Sequence, residues 1–190
     1  MKNKVRKPLF AIISIILLST CGSVNIVKEQ SDVDNEYLKQ QYGEGTNHFA
    51  AVVTEYGFKS IMTAIKNGII EDKKLDDASK EAEVEKLNAM KYIKNGYLAF
   101  EIITYQPLYK KQYNLKFRIY DNKGTVMVLP IHFVSLKKMW ARKYGSGIYY
   151  DYIWMFRLRK PLDTMQPDEL PLKMSVTYPN NRTNIYSIKP

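Results

Sequence analysis

Cysteine and histidine are scarce in this chain of 190 residues, which has one of the former and two of the latter. A single thiol cannot form a disulfide within the monomer, and a zinc site built on cysteines needs more than one. Glycine and proline occur 9 and 8 times, which excludes collagen-like and low-complexity chains. The hydrophobic fraction of 45% is too high for an intrinsically disordered protein. The length suits one domain with appendages.

Catalytic and metal-binding motifs are also missing. Gly145-Ser146-Gly147 matches neither the G-x-S-x-G nucleophile elbow nor a phosphate-binding loop. His48, predicted to open a helix, and His132, in a β segment, are isolated and fit surface or core positions better than metal ligation. We therefore expect no enzymatic activity, no cofactor and no metal. The alternative is a hydrolase that uses carboxylates, with Glu101 and Asp151 as candidate acids, because opposed carboxylates leave no local motif.

The first twenty residues have the pattern of an export signal. Four basic residues and no acid occur within residues 1–7, and an apolar run of ten residues follows from Leu9 to Leu18. This run is too short for a transmembrane helix, which needs about 20 apolar residues. A charged start before a short apolar stretch is typical of a secretory signal peptide.

The sequence Leu18-Ser19-Thr20-Cys21 follows that run and resembles the lipobox of bacterial lipoproteins, with Thr20 in place of the usual Gly, Ala or Ser. The resemblance implies cleavage before Cys21, which then carries a thioether diacylglycerol and an N-acyl chain such as palmitate. Several buried acyl chains suffice for stable membrane attachment. Gly22, which is not acidic, implies the outer membrane if the bacterium has two membranes. The alternative is an ordinary signal peptide with an incidental cysteine.

The remaining chain divides by composition into three parts. Residues 21–45 are polar and aperiodic and predict a flexible tether, and residues 46–96 predict a helical segment before a β domain at 97–190. The first helix is expected at 46–67, where apolar residues recur at i, i+3, i+4 and i+7 from Phe49. The second is expected at 76–94, where Asp76 and Asp77 favour a helix start.

The pattern changes to period two from Tyr97 onward. Alternating segments with turn signals between them predict six or seven strands, at 97–103, 115–120, 125–129, 131–136, 149–158, 172–178 and 185–188. The expected fold is mainly β, an antiparallel sandwich resembling the immunoglobulin-like type, with one or two amphipathic N-terminal helices packed against it. Trp154 and Phe156 are expected in its core.

Positive charge and tyrosine are concentrated in the β domain. Residues 21–100 have a net charge of −3 and residues 101–190 a net charge of +9, and 11 of the 15 tyrosines lie from Tyr97 onward. The densest mixture of cations and aromatics gives a candidate ligand- or partner-binding site: Lys137, Lys138, Trp140, Arg142, Lys143, Tyr144, Tyr149 and Tyr150. Such a site suits an anionic glycan, a lipid or a protein partner. The alternative is a solvated sheet face with cations along its edges.

These patterns together predict a lipid-anchored protein of the bacterial cell envelope, in the outer membrane, that acts as a non-enzymatic binding or structural module. The membrane is its first partner, through Cys21. Export makes nucleic acid the least suitable ligand. A subunit of an envelope assembly complex is a further alternative, with the aromatic segment as its interface.

Overall fold

The computed structural model describes residues 26–31, 35–109, 111–112, 114–135, 140–144 and 147–189. Cys21 and the signal segment lie outside these residues, as do Lys137 and Lys138. Within the described part of the chain, no helix has the length and apolar character needed to cross a membrane.

Within the described residues, nine strands form two antiparallel sheets. The strands are β1 (Ile26–Ser31), β2 (Asn47–Val52), β3 (Tyr97–Thr104), β4 (Lys116–Tyr120), β5 (Val128–Ser135), β6 (Trp140–Tyr144), β7 (Gly147–Leu158), β8 (Leu172–Thr177) and β9 (Thr183–Ile188). The four-stranded sheet has the order β1-β9-β8-β4. The five-stranded sheet has the order β2-β3-β7-β5, and β6 also pairs with β7. Sequence alternation therefore predicted the layered, antiparallel arrangement correctly, although the chain is mainly β only in a rough sense.

Apolar side chains at alternate positions of the strands form the main core between the two sheets. Leu98, Phe100 and Ile102 of β3 belong to this core, together with Leu172 and Val176 of β8. Aromatic rings fill its centre, and the predicted core residues Trp154 and Phe156 are both buried there. Burying side chains of this size is the main favourable term for the fold, at about 1.5–3 kcal/mol for each large apolar side chain.

The helices are α1 (Asn35–Tyr42), α2 (Glu55–Glu71) and α3 (Asp77–Asn88), and a short 3-10 helix spans Leu162–Thr164. α1 packs Leu38 and Tyr42 into the main core, whereas α2 covers the other face of β3 and β7. Phe58 and Ile61 of α2 pack on Tyr97 and Met155 in a second, smaller core. The sheet is therefore buried on both faces here, which explains why β3 is buried at nearly every position.

Two N-terminal predictions are wrong. The predicted helix at 46–67 begins instead with strand β2, which pairs with β3 from Asn47 to Val52, and α2 starts only after Thr54. The Thr54 hydroxyl accepts a hydrogen bond from the Gly57 amide and caps α2, so a helix starting at Thr46 would lose both the ladder and this cap. His48 accordingly lies on a strand.

The predicted tether at 21–45 also contains regular structure, because β1 and α1 lie within it. Ile26 of β1 pairs with Ile188 of β9. Further along, the expected strand at 125–129 begins as a short return beside β4, where Tyr120 forms a bridge with Val126. From Val128 it is continuous with the expected strand at 131–136, and together they form β5, whose register shifts between Val128 and Phe133. The Asp76 side chain caps α3 as expected and accepts from the Ser79 amide, but the helix ends at Asn88 rather than at residue 94.

The sandwich has two ends, which we name for use below. The tyrosine end carries the described residues 105–109 and 111–112, which we call loop 105–112, the ends of β6 and β7 in the β6–β7 hairpin, and the turn 178–183. The ion-pair end carries the turn 121–125 and the loop 159–171. Ile26 and Ile188 lie at the ion-pair end, since Ile188 also pairs with Leu172, the first residue after that loop.

Candidate binding surface

The loop 105–112 leaves β3 at the tyrosine end and exposes aromatic side chains. Tyr105 is 43% exposed and Tyr109 is 73% exposed, whereas most large apolar side chains of the described residues are buried. Lys111 is exposed two residues further on. Aromatic side chains that remain in water are typical of recognition sites, because they offer a large contact area at a small cost in conformational entropy.

Hydrogen bonds fix this loop to the body of the sandwich. The Leu108 amide donates to the Tyr152 hydroxyl at 2.6 Å, and Tyr152 is buried in the main core. The Thr104 hydroxyl donates to the Gln106 carbonyl at 2.5 Å. Tyr105 and Tyr109 are thus presented from a backbone that is tied to β7 as well as to β3.

Gln112 connects the loop to α1. Its side-chain oxygen accepts from the Tyr109 amide at 2.7 Å, and its side-chain nitrogen donates to the Gln41 carbonyl. The Tyr42 hydroxyl donates to the Gln112 carbonyl at 2.8 Å. The first bond closes the loop on itself and the other two join it to the helix, so the exposed tyrosines lie on a preorganised surface, which lowers the entropic cost of binding.

Gly45 makes room for the ring of Tyr105. A Cβ atom placed on Gly45 would lie 1.9 Å from Cε2 of Tyr105, and Gly45 has φ of +76°. Both its backbone conformation and the close approach of the ring therefore require glycine at this position.

The β6–β7 hairpin lies next to this loop in the five-stranded sheet. Thr104, the last residue of β3, pairs with Tyr150, and β7 begins three residues earlier at Gly147. The hairpin pairs Trp140 with Asp151 and Arg142 with Tyr149. The fold therefore places the predicted aromatic and basic hairpin beside the exposed tyrosines of loop 105–112.

Six of the eight predicted site residues fall in this single hairpin. Trp140, Arg142, Lys143 and Tyr144 lie on β6, which the sequence had suggested to be a connection, and Tyr149 and Tyr150 lie on β7. Tyr150 is half-buried and packs against the main core, so it contributes less exposed surface than expected.

The loop residues Tyr105, Tyr109 and Lys111 were missed in the sequence. The local composition of the sequence could have identified them as a candidate site. Three tyrosines and two lysines occur within residues 105–113, between two alternating segments and close to Pro107. Nothing in the sequence showed that the loop would share one end of the sheet with the β6–β7 hairpin, because that proximity depends on the pairing of β3 with β7.

A buried polar cluster lies under the tyrosine end and joins the two sheets. The Asn184 amide nitrogen lies 3.2 Å from Nε2 of His48 and donates to the Tyr178 hydroxyl, also at 3.2 Å. His48 is on β2 and Asn184 is on β9. Burial raises the pKa of Tyr42, Tyr178 and Tyr186, so these hydroxyls keep their protons above the pH at which an exposed tyrosine ionises.

The candidate acids Glu101 and Asp151 lie on the outer face of the five-stranded sheet. Glu101 pairs with Ile153 and Asp151 pairs with Ile103, so the two acids are diagonal neighbours on adjacent strands. Their exposures are only 6% and 3%. Neither carboxylate is therefore presented on the surface of the sheet. Among the described residues, no group of three or more His, Cys, Asp or Glu is placed to hold a metal ion.

Comparison with known proteins gives no relative. No family model matches the chain, and neither the curated proteins nor the solved structures include a similar protein.

Proposed function

We propose that this chain is a lipid-anchored protein of the bacterial envelope, in the outer membrane, whose sandwich is a non-enzymatic binding module. The observation that supports the binding role is the fixed loop 105–112, which presents Tyr105 and Tyr109 to solvent beside the β6–β7 hairpin. The anchor is proposed at Cys21, on the lipobox-like sequence that precedes it. The topology is proposed to be immunoglobulin-like in the broad sense of two packed antiparallel sheets.

The proposed partner carries anionic groups together with flat or apolar surface. Lys111 and Arg182 are exposed at the tyrosine end, and β6 adds Arg142 and Lys143 to the same end. The Arg182 guanidinium lies over the ring of Tyr37, 5.2 Å from the ring centroid. Cations interleaved with aromatic rings suit an acidic glycan, an anionic lipid headgroup or an acidic protein surface.

Anchoring is tested by changing Cys21 to Ala in the full chain. The variant should lose radiolabelled palmitate and move from the membrane to the soluble fraction, because its lipid attachment point is gone. Proteolysis of intact cells, with and without this change, then reports which side of the membrane the domain faces. Retention of palmitate by the Cys21→Ala variant would reject the anchor.

Binding is tested with the Tyr105→Ala/Tyr109→Ala double variant. Retention on lipopolysaccharide, on phosphatidylglycerol vesicles and on an acidic polysaccharide should fall at least tenfold for the probe that the native chain binds. Tyr56→Ala is the matched control, because Tyr56 is also 73% exposed but lies on α2. Equal losses in the control and the double variant would show that the tyrosine end is not the site.

The assembly-subunit alternative differs from the ligand-binding one in its partner. It is favoured if the native chain co-purifies with other envelope proteins and binds none of the three probes. Changing Trp140 and Tyr144 to Ala should then abolish the co-purification, since both lie in the β6–β7 hairpin. Unaltered co-purification would exclude this hairpin as the interface.

A further inference from the structure

A second concave site lies on the side of the sandwich, between the edge strands β4 and β5 of the two sheets. It is a cleft of about 350 Å³ lined by Phe117, Arg118, Ile119, Val126, Val128 and Phe156. The edge of β4 away from β8 is bonded at one end only, where the Met127 amide donates to the Ile119 carbonyl at 2.9 Å and Tyr120 forms a bridge with Val126. The cleft opens beside this short hairpin, where the strands of the described residues add nothing further to β4.

The walls of this cleft are apolar. The ring centroids of Phe117 and Phe156 are 4.9 Å apart, and those of Phe117 and Trp154 are 5.6 Å apart. Phe156 is buried, Phe117 and Val128 are half-buried, and Val126 is 44% exposed. The cleft thus leads from an exposed apolar side chain at its rim to the aromatic side chains of the core. Apolar lining along this whole path favours a hydrocarbon ligand.

The volume limits the size of that ligand. The cleft is half open to solvent, and its volume of about 350 Å³ holds roughly a dozen carbon atoms, since an enclosed cavity of about 150 Å³ accepts one benzene. This capacity suits one acyl chain of moderate length.

The charge at the cleft indicates the sign of the ligand's polar group. Arg118 is the single charged residue among the six that line it, and Lys116 is exposed on the same face of β4. The Arg118 guanidinium lies over the ring of Tyr120, 5.2 Å from its centroid, which holds the cation on β4. A carboxylate or another single anionic head group complements this arrangement.

We propose that the cleft between β4 and β5 binds a single acyl chain with an anionic head group, as in a fatty acid. This site is separate from the tyrosine end, and it requires neither acylation of Cys21 nor any partner of the loop 105–112. Each buried methylene contributes about 0.8 kcal/mol to such binding, so affinity should increase with chain length until the cleft is filled.

The test is photolabelling of the full chain in membranes with diazirine-bearing dodecanoate, followed by mass spectrometry of the peptides. Adducts should fall on residues 117–128 and around Phe156, and excess dodecanoate should suppress them. Val126→Asp should lower labelling at least fivefold, because it places a negative charge at the exposed rim of the cleft. Ile70→Asp is the control, since Ile70 is 53% exposed but lies on α2.

A second arm tests the head group. Arg118→Gln should reduce labelling by dodecanoate and leave labelling by diazirine-bearing dodecanol unchanged. Equal labelling of the Val126→Asp variant and the native chain, or adducts that lie mainly outside the cleft, would overturn the site. Stronger labelling by a photoreactive phosphatidylglycerol than by dodecanoate would overturn the single-chain ligand, and crosslinks mainly to other proteins would identify a protein surface instead.

Discussion

The ion-pair end and the tyrosine end of the sandwich differ in how their polar groups are used. At the ion-pair end, Lys123 pairs with Asp168 and Lys160 pairs with Glu169, each at 2.5 Å. Hydrogen bonding to Lys160 holds the pKa of Glu169 below its usual range. These two ion pairs therefore join opposite charges of the same chain.

At the tyrosine end, hydrogen bonds instead hold the backbone of the loop in place. The bonds of Gln112 and Tyr152 fix the loop 105–112 and leave the rings of Tyr105 and Tyr109 in water. The ion-pair end thus pairs charges within the chain, whereas the tyrosine end presents a surface to a binding partner. Binding and stability should accordingly be separable by mutation, as the following three predictions test.

The largest effect is expected from alkaline pH, which acts on the tyrosine end. Burial raises the pKa of Tyr42, Tyr178 and Tyr186 in the folded chain above the unfolded value of about 10. The folded state then holds protons that the unfolded state releases, so stability is complete below pH 10 and falls as pH rises further. Thermal unfolding between pH 8 and 12 should show this fall. Tyr178→Phe should make the fall less steep, and an unchanged slope would contradict the assignment.

The next effect should come from Leu162→Ala at the ion-pair end. Leu162 lies on the 3-10 helix and is buried in the main core, so its truncation should lower the free energy of unfolding by about 2–5 kcal/mol. Urea unfolding measures this change. Ligand retention at the tyrosine end should stay native under conditions where the variant is folded. A parallel loss of binding would show that the two ends are coupled.

The smallest of the three effects should come from Gly45→Ala. The positive φ costs about 1–2 kcal/mol, and the new methyl group also displaces the Tyr105 ring. Gly43→Ala is the matched control, because Gly43 has φ of +91° but nothing within 4 Å of an added Cβ. Both variants should lose similar stability, but only Gly45→Ala should weaken binding. Equal binding by the two variants would show that the position of Tyr105 is unimportant.

The parts of the fold that sequence predicted correctly are those with strong local alternation. Strands β3, β7, β8 and β9 fall close to their predicted ranges. The helix start at Asp76 was also correct, because a side-chain cap depends on nearby residues alone.

The errors have non-local causes. The apolar spacing from Phe49 fits a helix and a strand equally over six residues, and pairing with β3 decides for the strand. β1 depends in the same way on pairing with β9, which lies more than 150 residues away in the sequence. Of the candidate surface, the sequence predicted only the part in the β6–β7 hairpin, from its content of aromatic and basic residues. The loop 105–112 could not be predicted as its neighbour, because that proximity depends on strand order.

The early start of β1 has a consequence for how far the body stands from its membrane. Cys21 and Ile26 are five residues apart, so the linker between them can span at most about 18 Å. On the proposed anchoring, the edge of the sandwich where Ile26 pairs with Ile188 would rest close to the lipid headgroups. The 12-residue strand β7 spans about 40 Å, so the rings of Tyr105 and Tyr109 would point away from the bilayer, toward whatever layer of the envelope faces it.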